Sequence, residues 1–97
     1  MPEMHFTVKW PDGQKARCYS PSLIVRDYLE VGRTYEVSEF VSRSRAMLEI
    51  ASERVKQKFG YYCSAAMDQL ATIEERGKVF DPSAEVLVVE FEVPPGF

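Results

Sequence analysis

The reactive side chains of this sequence are few: two cysteines, Cys18 and Cys63, and a single histidine, His5. Cys63 is the sharpest candidate for a catalytic residue. It stands where a helical pattern begins, and the N-terminal end of a helix favours the thiolate, the nucleophilic form of cysteine. The opposing reading is a small apolar side chain packed between Tyr62 and Met67, since free cysteine is among the residue types most often buried. Packing is the better-supported of the two. Cys18 lies in a strand pattern on the side assigned to the core, and the same argument favours a filling role. A metal site made of His5, Cys18 and Cys63 matches no short ligand spacing such as Cys-x-x-Cys, so no metal is expected. His5 carries the side-chain type that changes charge near neutral pH. A general base needs a polar neighbour and a cleft, and the sequence places neither beside it. His5, Cys18, Tyr61 and Tyr62 stand as the candidate binding residues.

Other chemistry-bearing groups have structural readings that outweigh functional ones. Tyr61 and Tyr62, with Phe59 and Phe80, are expected to close the core around a helix turn rather than to stack a ligand. Glu90 and Glu92 alternate at the end of a strand, which reads as edge protection. Arg43, Arg45, Arg54, Lys56 and Lys58 share one long helix with Glu49 and Glu53, the pattern of a solvated, ion-paired face. No glycine-rich phosphate loop, Ser-His-Asp arrangement or nucleotide fingerprint is visible, so no cofactor is expected.

The elements that must position these groups follow from periodicity. Met4, Phe6, Val8 and Trp10 alternate with His5, Thr7 and Lys9, the period of a half-buried strand. Pro11-Asp12-Gly13 supplies a turn: proline presets φ, Asp bonds nearby backbone, and Gly accepts positive φ. Residues 14–20 are the return strand. A three-residue loop sets Trp10 against Gln14, Val8 against Ala16 and Phe6 against Cys18, leaving His5, Thr7, Arg17 and Tyr19 on the wetter face. Leu23 to Leu29 is ambiguous, β-branched and apolar at its start while Asp27, Tyr28 and Leu29 would fit a short helical turn, and is read as extended, with a turn at Gly32 and an extended approach over Thr34–Val37. Ser38 is the expected N-cap of a long helix, whose apolar stripe runs through Phe40, Ser44, Met47, Leu48, Ala51, Val55 and Phe59. Gly60 ends it in the left-handed position. A second helix starts near Cys63 or Ser64 and ends at Gly77. Glu85 to Val93 alternates again, with Leu87, Val89, Phe91 and Val93 on one face.

This order predicts an α+β fold: a two-layer sandwich in which a mainly antiparallel sheet of three or four strands carries two helices on one face. The 97 residues are expected to form one domain with one modest core. Twelve basic against fifteen acidic residues give a net charge of −3, which argues against a nucleic-acid-binding module. No apolar run reaches the roughly 18–20 residues of a membrane span. The first residues lack the basic start and apolar stretch of a secretion signal, so a cytoplasmic protein with free thiols is expected. Open sheet edges make a homodimer an expectation.

Several segments together resemble a known family. They are Pro2-Glu3-Met4-His5-Phe6, Trp10-Pro11-Asp12-Gly13 and Cys18-Tyr19-Ser20-Pro21-Ser22, then the stretch from Gly32 to Tyr35. Glu39-Phe40-Val41, Ala51-Ser52-Glu53-Arg54-Val55, and Tyr62-Cys63-Ser64-Ala65-Ala66-Met67-Asp68-Gln69-Leu70 continue it. They are similar to the small bacterial nitrogen-starvation-response proteins encoded beside a nitrilase in nitrilase-containing gene clusters. The likeness covers nearly the whole chain, apart from the Pro94-Pro95-Gly96-Phe97 tail. It implies a bacterial protein and transfers no catalytic residue; together with the small size and the absence of a catalytic constellation, it leads to the expectation of a non-catalytic accessory or regulatory protein that binds a protein partner from the same cluster or itself. The reading from a different class is a thiol-dependent small enzyme or small-molecule-binding protein using Cys63.

Overall fold

The structure is a computed structural model and describes residues 2–61 and 63–97. Its elements are β1 (Met4–Lys9), β2 (Lys15–Ser20), α1 (Val25–Tyr28), β3 (Thr34–Glu36), α2 (Val37–Phe59), α3 (Ser64–Gly77) and β4 (Glu85–Glu92). Among the described residues four strands form one sheet in the order β2-β1-β4-β3, with every neighbouring pair antiparallel. The helices cover one face, so the α+β sandwich expected from the pattern is the fold. The β1–β2 register is the expected one, with Phe6 opposite Cys18 and Val8 opposite Ala16. The Trp10 N–H donates to the Gln14 carbonyl at 2.9 Å across the turn, where Gly13 takes φ +85°.

The core lies between the sheet and α2. Phe6, Val8, Val86 and Val88 face Phe40, Met47, Leu48 and Ala51, all fully buried. Trp10 closes one end, edge-on to Phe40 at 5.4 Å and stacked on Phe80 at 5.7 Å between ring centres. Burying one such side chain contributes about 1.5–3 kcal/mol.

Five expectations are corrected. Leu23 to Leu29 is not extended: Val25–Tyr28 forms a single helical turn, because Val25 and Leu29 both reach the core and the Leu29 N–H donates to the Val25 carbonyl. The long helix begins one residue before Ser38, with Glu36 as N-cap. The Val37 and Ser38 N–H groups are bonded by the carbonyls of Ala84 and Pro82, so tertiary backbone contacts replace a side-chain cap. The buried stripe of α2 stops at Val55, and Phe59 is exposed. The alternation in β4 changes phase. Thr7 pairs with Glu90 but Val8 pairs with Val88, so Val89 is an extra residue, a bulge. Below it Val86 and Val88 face the core and Leu87 turns outward, whereas above it Phe91 lies opposite Phe6. Finally, β4 is an interior strand, so Glu90 and Glu92 do not guard an edge; Glu92 instead binds Arg17 across β1, Nε to Oε2 at 2.8 Å.

Gly77 has its own packing reason. It is the last residue of α3, and a Cβ built there lies 2.9 Å from Val41 Cγ2 on α2. Gly77→Ala is therefore expected to destabilise the fold by about 1–3 kcal/mol in urea denaturation, through overpacking. Ser44 and Ser52 are buried in α2, and neither hydroxyl has a hydrogen-bond partner among the described residues. Ser44→Ala should move the urea midpoint the other way. It removes an unsatisfied hydroxyl and improves helix propensity, for a gain of about 0.5–1 kcal/mol.

Candidate functional site

Cys63 occupies the N-cap of α3, with φ −82° and ψ 103°, and its carbonyl accepts the first helical N–H, from Met67. Its thiol makes no capping bond and is half-buried. That position follows from the chain path. α2 ends at Gly60 in the left-handed conformation, φ 84°, and α3 restarts only a few residues later, which sets Cys63 in the corner between the two helices.

The corner opens into a groove of about 340 Å³, lined by Glu3, Tyr19, Phe59, Tyr61, Cys63 and Ser64 among others. Tyr19, on β2, bridges the sheet to this corner. Its hydroxyl donates to Glu3 Oε2 at 2.9 Å, its ring meets His5 edge-on at 5.6 Å, and its backbone N–H donates to Gln69 Oε1 on α3 at 3.0 Å. Burial pushes the Tyr19 hydroxyl up to about 12, the Glu3 carboxylate adds to the shift, and it stays protonated across the physiological range. Phe59 and Tyr61 lie 6.1 Å apart between ring centres and are 51% and 64% exposed. They line the groove instead of closing the core, which corrects the expectation for both, while Phe80 packs inward on Trp10. Tyr62 lies outside the described residues.

The structure thus brings Cys63 and Tyr61 to one groove, puts His5 one ring away through Tyr19, and separates Cys18 from all of them. Cys18 points into the core at 2% exposure, and burial raises its thiol to about 12. Sequence reasoning missed Tyr19, Glu3 and Phe59 as groove residues. For Tyr19 a signal existed, its place beside His5 on the outer face of the hairpin; for Glu3 and Phe59 only the tertiary fold supplies it.

Two further concavities flank the helices. The larger, about 470 Å³, lies between the start of α2 and the end of α3, where Arg45 and Glu74 bind each other at its rim. The other, about 280 Å³, lies between β2 and α3. Charges on α2 are paired outside the helix or at one turn's spacing: Arg43 with Glu39 at 2.8 Å, Arg45 with Glu74, and Arg54 donating to Ser22 Oγ at 2.9 Å. The Glu39–Arg43 pair is the i,i+4 pair that the sequence spacing favours, whereas Arg45 and Arg54 bond Glu74 and Ser22 rather than the interleaved Glu49 and Glu53. No group of three or more His, Cys, Asp or Glu suited to a metal occurs among the described residues, and no helix there is long and apolar enough to cross a membrane.

The two thiols should separate in a labelling experiment. Native protein at pH 8 is expected to take one equivalent of iodoacetamide, at Cys63, and denatured protein two, as read by intact mass. Stability should also fall as pH rises above about 9. An unfolded thiol loses its proton near 9.0, while Cys18 in the native state keeps it up to about 12. The unfolded chain therefore binds fewer protons in that window, and the slope approaches about 1.4 kcal/mol per pH unit. Cys18→Ala should flatten that slope in urea titrations run between pH 8 and 11.

The model of a family described as nitrogen starvation-induced protein NitG matches residues 5–91. No curated protein and no solved structure matches the chain.

Proposed function

The chain belongs to the family of nitrogen starvation-induced protein NitG, and from that premise we propose that it is a non-catalytic accessory or regulatory protein that acts by associating with another protein. The observation that carries this reading is the exposed aromatic pair Phe59 and Tyr61 on the open groove between β2 and the α2–α3 corner. Large aromatic rings with a polar tip or rim are the side chains that supply binding energy in protein interfaces. Here they sit at the last residue of α2 and just past its Gly60 cap, beside Tyr19 and Glu3, where a partner meets apolar rings and a carboxylate together. In this proposal the protein works in the cytoplasm, and the partner is a product of a neighbouring gene in a nitrilase-containing cluster or a second copy of the chain.

A second reading keeps the same groove but assigns it to Cys63 as a nucleophile or a small-molecule contact. It is favoured by the half-exposed thiol at a helix start with no capping bond.

Tagged full-length chain recovered from nitrogen-starved cells should bring down a stoichiometric partner, and a Phe59→Asp, Tyr61→Asp double variant should lose it by at least tenfold while keeping its circular dichroism spectrum. Recovery of no partner, together with a monomer in sedimentation at all concentrations, counts against association. The thiol reading expects Cys63 to be alkylated at neutral pH at least tenfold faster than free cysteine; a rate at or below that of free cysteine ends it.

A further inference from the structure

We propose that the free edge of β2 accepts an extended, acidic segment of a partner protein as a fifth strand, seated between β2 and α3. The inference rests on the association reading above and names the chemistry of the partner. β2 is an outer strand of the sheet. The bond from the Trp10 N–H to the Gln14 carbonyl fixes which residues of β2 turn their backbone toward β1. In an antiparallel pair these alternate, so Ala16, Cys18 and Ser20 bond inward, while Lys15, Arg17 and Tyr19 turn their N–H and C=O groups off the sheet. The Tyr19 N–H has found a substitute partner in the side chain of Gln69. Among the described residues nothing bonds the outward backbone groups of Lys15 and Arg17.

A place for the added strand lies alongside. The 280 Å³ groove between β2 and α3 is bounded by Ala16 and Cys18 on the strand and by Gln69, Thr72 and Ile73 on the helix, with Trp10 at one end. An edge strand beside a helix is the geometry in which an incoming strand takes main-chain bonds from the edge and sends alternate side chains into the groove. Side chains opposite Ala16 and Cys18 would meet Ile73 and Trp10, so they should be apolar. Side chains opposite Lys15, Arg17 and Tyr19 would lie on the outer face.

Charge selects the occupant. On that outer face Arg17 is bound to Glu92 and Arg76 near the groove to Asp12, whereas Lys9 and Lys15, which stand opposite each other, have no ion pair among the described residues. Lys15 on the edge strand, with Lys9 one strand further in behind it, attracts a carboxylate on the outer face of an added strand. The same charge also opposes a second copy of β2: symmetric pairing centred on Arg17 sets Arg17 against Arg17, and edge lysines are a known deterrent to such self-pairing. An acidic-apolar alternating segment fits where a second copy does not.

The probe is a peptide of alternating Glu and Val labelled at its N-terminus, fluorescein-Glu-Val-Glu-Val-Glu-amide, titrated with the chain in fluorescence anisotropy. Saturable binding is expected. A backbone N-methyl group on the central Glu, whose N–H faces β2, should weaken it at least tenfold; N-methylation of the adjacent Val, whose N–H faces away, should change it less than twofold. A Lys-Val peptide of the same length should not bind. Lys15→Pro, at a position whose N–H points off the sheet and so tolerates proline, should weaken binding at least tenfold with an unchanged melting curve. The N-methylated peptides test the wild-type chain and so decide the matter even if that variant unfolds. No saturable binding below 1 mM, equal binding by the two N-methylated peptides, or a sedimentation dimer that Lys15→Pro dissolves would each overturn the proposal. Loss of the peptide interaction with partner capture from starved cells intact sinks the β2 edge alone. Peptide binding intact with no partner captured supports the edge and tells against the association reading.

Discussion

The fold depends on one inserted residue. β4 lies between β1 and β3, and its inner face must be apolar from end to end because α2 covers it. Val86, Val88 and Phe91 can all face inward only because Val89 is added opposite the Thr7–Val8 step, shifting the side-chain phase by one. An unbroken alternation would keep either the two valines or Phe91 in the core, and would lose about 1.5–3 kcal/mol for each large side chain turned out. The same shift turns Leu87 outward, opposite Thr34 at the short strand β3, and leaves Glu90 and Glu92 on the uncovered face. Arg17 then reaches across β1 to Glu92, and this pair holds the Glu92 carboxyl below the usual range.

The helix pair is set by a second close constraint. α3 meets the start of α2 at Gly77, where the absence of a side chain lets Val41 approach. This places the beginning of α3 against the far end of β2. Gln69 can then bond the Tyr19 backbone, and Cys63, Phe59 and Tyr61 gather in the opened corner. The Tyr19–Gln69 bond joins the linings of the two grooves on this side of the molecule: Tyr19 belongs to one and Gln69 to the other. Exposed rings, an unfinished strand edge and lysines without an ion pair among the described residues therefore lie along a single flank, while the 470 Å³ concavity at the start of α2 and the end of α3 has its charged rim closed by Arg45 and Glu74.

Family membership and site geometry carry different weights. The match over residues 5–91 places the chain in a family described as nitrogen starvation-induced, a description that names no ligand and no partner. The flank along β2 offers a backbone edge and exposed aromatic surface, the features from which association is proposed.

The sequence by itself determined the elements whose signal is local. Alternation from Met4 to Trp10 with the Pro11-Asp12-Gly13 turn specified the hairpin and its register, and three- and four-residue spacing specified both helices. Gly60, at φ 84°, marked the end of the first. Cys18 was legible as a core residue for the same reason, since period two fixes its face once the turn is known. What the tertiary structure alone decided was non-local. The first turn of α2 is capped by the Ala84 and Pro82 carbonyls, more than forty residues away in sequence, so Ser38 gave a misleading boundary. Leu23 to Leu29 coils into one turn because its two ends must both reach the core, and β-branched propensity is too weak to oppose that. The β4 bulge answers to partners on both sides that no single strand encodes. Phe59 continues the α2 stripe in sequence, yet the sheet ends before it does, and an apolar side chain with nothing left to cover it becomes surface.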